Sequence, residues 1–341
     1  MDHYAGIDVS LECSSVCVMD AAGKIVREDK VASEPEPLIA WLQALRVKLV
    51  RIGLEAGPLS QWLYTHLQAA GLAVELLETR HVRAALEAMP VKTDRNDARG
   101  IAQLIRMGWF RPVHCKSIGA QETRAMLTAR KLMQSKLHDI EMSLRGILRG
   151  FGLKVGKVTR TQFAARAEEL VRGHPTLEVV AQSLLAARAV LLREFKDLER
   201  RVRLIARNDA RARLLTTAPG VGAVVALTYV AAIDDPTRFK SSKRVGPYFG
   251  LTPRRYQSGD TDISGHITKA GDGDVRTVLY EAAHVILTKP IKGGALKSWA
   301  MRIAKRTGPA KAKVALARKL AVILHRMWSD ATPFNFAAAT A

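Results

Sequence analysis

Apolar and polar positions alternate with a period of two across residues 3 to 32, and the run breaks at turn residues into "HYAGIDVS", "CSSVCVMD" and, after "DAAGK", "KIVREDKVA". That period puts successive side chains on opposite faces of a strand, so the stretch predicts a three-stranded meander. The spacing then changes. Leu38, Trp41, Leu42 and Leu45 recur at helical intervals, and "LVRIGLEAG" reads as a buried strand closing on Gly57. "PLSQWLYTHLQAAG" predicts a helix with Pro58 at its first position and Gly71 as its stop. "LAVELLE" follows as a fifth strand, then helices in "TRHVRAALEAM" and "TDRNDARGIAQLIRMG".

Three antiparallel-type strands followed by helix, strand, helix, strand, helix is the order of an RNase H-like α/β sheet. Beyond it the pattern is mainly helical, so the fold class is α/β plus α. Leu137, Ile140, Leu144, Leu148 and Phe151 follow one face of a helix predicted over residues 118 to 151. Leu177, Leu184, Leu191, Leu198 and Ile205 repeat every seven residues, accompanied by Val180, Ala187, Phe195 and Val202. This predicts a coiled coil whose partner is either the preceding long helix or the same segment of another copy. "LLTTAPGVGAVVAL" sets Pro219 to Gly222 between two apolar stretches, the arrangement of a helix-hairpin-helix turn. The expected divisions are an α/β catalytic domain over 1–115, long helices over 116–210 and a C-terminal domain over 211–341.

Charge sharpens this division. Residues 1 to 110 carry 12 Lys and Arg against 14 Asp and Glu, while residues 111 to 341 carry 41 against 18. A net +23 on the later part favours a polyanion, nucleic acid above all. Three cysteines, Cys13, Cys17 and Cys115, give neither a disulfide framework nor a zinc spacing, which fits a reducing cytoplasm. Leu214 to Ile233 is uncharged and long enough on paper to span a bilayer, but Pro219, Gly220 and Gly222 interrupt it, so no membrane association is expected.

Four acids stand out. Asp8 closes the first predicted strand, Glu55 the fourth, and Asp94 and Asp97 begin a helix. First and fourth strands are neighbours in this topology, and residues three apart share a helix face, so four carboxylates can face one volume. Like charges that close either take up a proton or hold a cation, and oxygen ligands alone select Mg²⁺ or Mn²⁺. The alternatives stay open on the residues alone: Asp8 and Glu55 as solvated strand ends, Asp94 and Asp97 as acids suited to the positive end of a helix.

In the basic part, Gly220 and Gly222 offer backbone amides and a helix start to a phosphate. Arg254, Arg255, Lys269 and Arg276 surround Ser258, Ser264 and Thr268 among five glycines, which suits phosphate contact and is also ordinary loop composition. Ser258 as a nucleophile needs activation that its neighbours in sequence do not supply.

"GIDVS", "GLEAG", "KTDRNDAR", "PGVG", "FGLTPRRYQSG" and "ITKAG", in this order and spacing, resemble the insertion-sequence one-ten family of DEDD transposases across nearly the whole chain. The resemblance implies a RuvC-like domain joined through a coiled coil to a C-terminal transposase domain. It implies a DEDD tetrad at Asp8, Glu55, Asp94 and Asp97 holding Mg²⁺, and a catalytic serine at Ser258 that forms a phosphoserine link to DNA. It further implies a bacterial, nucleoid-acting recombinase guided by a bridge RNA and working on donor and target DNA. The expected state is a homodimer or homotetramer, with tetrad and serine supplied by different copies. One departure is visible: Asp260 and Asp262 stand where the family pattern leads one to expect a more basic loop. A metal-only nuclease and a non-catalytic nucleic-acid-binding protein are the competing functions.

Overall fold

The computed structural model describes residues 1–87, 89–290 and 294–336. The chain divides into two compact units, Met1–Lys116 and Ser117–Ala341.

The first unit is built on β1 (Asp2–Asp8), β2 (Cys13–Asp20), β3 (Ile25–Ala32), α1 (Pro35–Ala44), β4 (Lys48–Glu55), α2 (Ser60–Ala69), β5 (Val74–Leu77), α3 (Thr79–Leu86) and α4 (Asp94–Met107). Its sheet runs β3-β2-β1-β4-β5. The meander pairs antiparallel, whereas β1 with β4 and β4 with β5 are parallel. The mixed α/β architecture expected from the pattern is the one observed. α2 begins two residues after Pro58, because the buried Ser60 hydroxyl bonds both the N–H and the carbonyl of Gly57 and turns the chain before the helix starts.

Strand alternation sorts the side chains by face. Ala5, Ile7, Val16, Val18, Ile52 and Leu54 join one core with Leu38, Leu42, Leu63 and Leu67 of α1 and α2. Cys17 and Met19 face the opposite way, onto Ala98 and Ala102 of α4. On that face β1 and β4 present glycine. A Cβ on Gly6 would stand 2.3 Å from the Ala102 nitrogen and the Ala98 oxygen, and one on Gly53 would stand 2.5 Å from Ile105 Cγ1. Missing side chains therefore let α4 lie almost against the sheet.

The second unit begins with α5 (Ile118–Gly150), α6 (Phe163–Val171), α7 (Pro175–Asn208), α8 (Ala210–Leu215) and α9 (Ala223–Ile233). After α10 (Val245–Tyr248) comes a hairpin, β6 (Pro253–Ser258) and β7 (Thr261–Ile267). α11 (Gly273–Thr288), α12 (Gly294–Thr307) and α13 (Pro309–Ser329) complete it. α5 and α7 pack antiparallel, tied by Arg188 to Glu141 at 2.7 Å and by Arg130 to Glu199. The seam of α7 differs from the leucine repeat. Leu177, Ala181, Leu185, Arg188, Val202 and Ala206 are buried, while Leu184, Leu191, Leu198 and Ile205 are only half-buried beside them. Arg188 thus occupies a heptad core position, its guanidinium capped by Glu141, the Arg160 carbonyl and the Phe163 ring.

The uncharged stretch from Leu214 to Ile233 folds as the end of α8, a turn and the eleven-residue α9. Among the described residues α7 alone is long and apolar enough by composition to cross a membrane, and its seam is spent on α5.

Candidate active site and nucleic-acid interface

The ends of β1 and β4 bring two acids together first. Ile7 is in register with Leu54, so Asp8 and Glu55 leave adjacent strands at the same edge. Both line a cavity of about 460 Å³ with Gly57, Pro58 and Thr79. Thr93 then caps α4, its hydroxyl accepting from the Asn96 N–H at 3.2 Å, which places Asp94 and Asp97 in the first turn. The helix-start reading of those two acids holds, and they also reach the strand ends electrically. Burial, then the charges of Asp97 and Asp94, push the Asp8 carboxyl up from its ordinary 3.8 to about 6. Burial, then Asp8 and Asp97, raise Glu55 as well. Lys92 opposes both shifts.

Asp97 and Asp94 thus lie near enough to act on Asp8, and Asp97 on Glu55, while the cavity itself is lined by Asp8 and Glu55. The four acids are not a closed ligand set: among the described residues no three His, Cys, Asp or Glu side chains stand close enough to hold a metal ion as they are. Their donor chemistry, oxygen only, suits a hard divalent cation.

Two contacts escaped sequence reasoning. Arg95 and Arg99, interleaved with the aspartates, both grip Glu28 on β3, at 2.6 and 2.9 Å to Oε2. Hydrogen bonding from Arg99 first, then from Arg95, holds Glu28 down at about 2. These arginines anchor the start of α4 to the sheet. Thr79 donates to the Ala56 carbonyl at 2.7 Å, steadying the end of β4. Nothing local in the sequence marks either pairing.

In the second unit, Ser258 ends β6 at the tip of a hairpin closed by Gly259, at φ +52°, and Asp260. It is exposed, and among the described residues no side chain hydrogen-bonds its Oγ. Arg254 is exposed on the same strand. Arg255 is held by Asp262 across the hairpin at 2.7 and 2.8 Å, which accounts for one of the two acids in this loop. Arg276 gives its Nη1 to the carbonyls of Phe249, Ala270 and Gly271. It staples two loops at the hairpin root, where a Cβ on Gly271 would meet the Tyr248 oxygen at 2.1 Å. Lys269 lies in the second loop with φ +55°. Gly220, at φ +75°, presses on the Ala282 carbonyl, whereas Gly222 is exposed at the start of α9.

Comparison with known sequences matches both parts. A profile described as "Transposase", of the DEDD type, fits residues 5–152, and one described as "Transposase IS116/IS110/IS902 family" fits residues 212–295. The chain belongs to the IS116/IS110/IS902 family of transposases. Among its relatives is "Transposase for insertion sequence element IS1111A" of Coxiella burnetii, 26% identical over 94% of this chain and 87% of that one. Another is "Pilin gene-inverting protein" of Moraxella bovis, 31% identical over 37% of this chain and 39% of that one. A solved RuvC from T. thermophilus, in complex with a Holliday junction substrate, overlaps 33% of this chain and all of its own at 16% identity, with a TM-score of only 0.26. The four acids lie within the first matched region and Ser258 within the second.

Proposed function

We propose that this transposase cuts and rejoins DNA through two chemistries divided between its units: a carboxylate site at Asp8, Glu55, Asp94 and Asp97, and a nucleophilic serine, Ser258. The observation that carries the first is the meeting of Asp8 and Glu55 at one strand edge, with Asp8 raised by burial first and then by Asp97 and Asp94, acids almost ninety residues away in sequence. Repelling carboxylates at a strand edge add nothing to the fold; a cation neutralising them gives the arrangement its use. When bound, a divalent ion, Mg²⁺ or Mn²⁺, would offset charge on the reacting phosphate and ease ionisation of the attacking oxygen. The protein's part is placement. β1 and β4 fix two ligands, the Gly6 and Gly53 contacts seat α4, and the Glu28 clamp sets the angle of its first turn. Asp8, Glu55, Asp94 and Asp97 would hold the ion, and as they stand they are not a closed set of ligands.

Ser258 Oγ would bond to phosphorus as one strand's P–O bond breaks, giving a phosphoserine link whose energy is kept for rejoining. The exposed hairpin tip suits a group that must reach into a bound strand. Arg254 and the Gly222 amide at α9 suit the backbone phosphates. The +23 on residues 111 to 341 and the family resemblance support DNA donor and target, a structured guide RNA and action as a homodimer or homotetramer.

A denaturing gel tests the serine. Wild-type protein should trap a covalent adduct with labelled DNA, and Ser258→Ala should not. One observation favours a second reading: among the described residues no side chain hydrogen-bonds Ser258 Oγ, as a metal-only nuclease would allow. Cleavage to free ends with no adduct, unaffected by Ser258→Ala, would establish that reading. Sequencing RNA that copurifies with the protein tests the guide; a discrete transcript is expected, and random fragments would remove it.

A further inference from the structure

Below the hairpin that carries Ser258, the second unit holds a groove of about 1440 Å³, bounded by the hairpin root, α11, α12 and α13. A smaller cavity of about 540 Å³ shares Leu251, Ile267, Lys269, Tyr280 and Val314 with it and continues toward Lys131. The larger volume exceeds the range of about 300–1,000 Å³ usual for small-molecule pockets, which suits a polymer segment.

Three features of the lining select the polymer. The rim is cationic: Arg254, Lys269, Lys311, Arg318 and Lys319 border it, and no carboxylate lines it among the described residues. The floor is apolar, formed by Leu251, Ile267, Val314 and Val322. Two large rings, Tyr280 and Trp299, stand on the wall, with Lys313 5.5 Å from the first ring's centre and Lys319 4.6 Å from the second's. A duplex turns phosphates outward and gives an apolar floor nothing to cover. An unpaired strand offers base faces to floor and rings and phosphates to the rim, the combination found where single strands are held.

We propose that this groove binds an unpaired DNA strand, stacking bases on Tyr280 and Trp299 and leading the backbone along β6 toward Ser258. What the held strand is for rests on the function proposed above, strand cleavage by that serine. Ser258 lies four positions along β6 from Arg254, at the groove, about 13 Å at 3.3 Å per residue. A strand leaving the groove along β6 therefore reaches the serine within a few nucleotides. The held strand is DNA because the cleavage proposed above acts on DNA.

Fluorescence anisotropy on the full chain tests this, using labelled oligothymidine, oligouridine and a short duplex at fixed ionic strength. Tyr280→Leu and Trp299→Leu keep apolar bulk against the core while removing the rings, and each should weaken oligothymidine binding about tenfold or more. Lys311→Gln should reduce the salt dependence of the same binding. Photo-crosslinking of iodouracil-substituted DNA should mark peptides carrying Tyr280 or Trp299. Binding indifferent to both rings, crosslinks confined elsewhere, or a preference for oligouridine would each overturn the proposal. So would ring variants that change sedimentation while leaving strand binding intact, since the groove would then be an interface between copies. The serine and the groove fail separately. An adduct that survives Ser258→Ala removes the nucleophile and leaves ring-dependent binding standing, whereas ring-independent binding by a protein that still forms the adduct removes the groove alone.

Discussion

Asp8→Asn, in protein stripped of divalent ions, should make the fold more stable at neutral pH while abolishing strand cleavage. The Asp8 carboxyl moves from 3.8 unfolded to about 6 folded. Because the folded value is the higher, the native state holds the extra proton between those two limits, so stability falls as pH rises through the window and stays lowered above it. The displacement corresponds to about 3 kcal/mol at 1.36 kcal/mol per pH unit. Asp8 keeps some contact with solvent, and screening reduces the figure to about 1–2 kcal/mol. Asparagine keeps the shape and removes the charge. Urea or thermal unfolding of the two proteins across this range, in excess chelator, should give matching stabilities below about pH 4. A gap in favour of the variant should then open to its full size above about pH 6, worth a few degrees in melting temperature. Adding Mg²⁺ should close or reverse the gap, because an ion held only by the folded wild type stabilises it by mass action. A wild type as stable as the variant at neutral pH without metal would refute the claim that these acids crowd one another. A gap that Mg²⁺ leaves untouched would refute the claim that they hold an ion.

Gly6→Ala places a Cβ 2.3 Å from backbone atoms of α4. It should cost at least about 1–3 kcal/mol in thermal unfolding, and cleavage should fall further than stability explains, because the helix bearing Asp94 and Asp97 must lift from the sheet. Arg188→Met leaves Glu141 uncompensated in the α5–α7 seam and should cost about 3–5 kcal/mol in urea unfolding. Arg188→Met with Glu141→Met should recover most of that; equal losses in single and double variants would show that the charge pair is not what the seam feels.

The order of strands and helices was legible because burial imposes a period, two on a strand and 3.6 on a helix, and the change of period marks each boundary. The acids were legible for a related reason. A carboxylate at the last position of a buried strand interrupts a strong apolar pattern, as Asp8 does after "YAGI" and Glu55 after "RIGL". Pairings across the chain left no such trace. Glu28 meets Arg95 and Arg99 only because β3 lies beyond β2, and nothing near Glu28 in sequence names its partners. The seam of α7 misled in another way: leucines every seven residues dominate the pattern, yet Ala181, Leu185 and Ala206 are buried beside them, as is Arg188, whose charge Glu141 answers.

One signal lay in plain view in "AGIDVS" and "RIGLEAG". Glycine weakens a strand, so Gly6 and Gly53, on adjacent strands and facing the same side, mark a place where another backbone comes close. That backbone is α4, the helix that begins with Asp94 and Asp97. Each glycine stands two residues before an acid at the strand end, Gly6 before Asp8 and Gly53 before Glu55. Residues two apart on a strand share a face, so the two members of each pair act together, the glycine admitting the helix and the acid meeting what the helix carries.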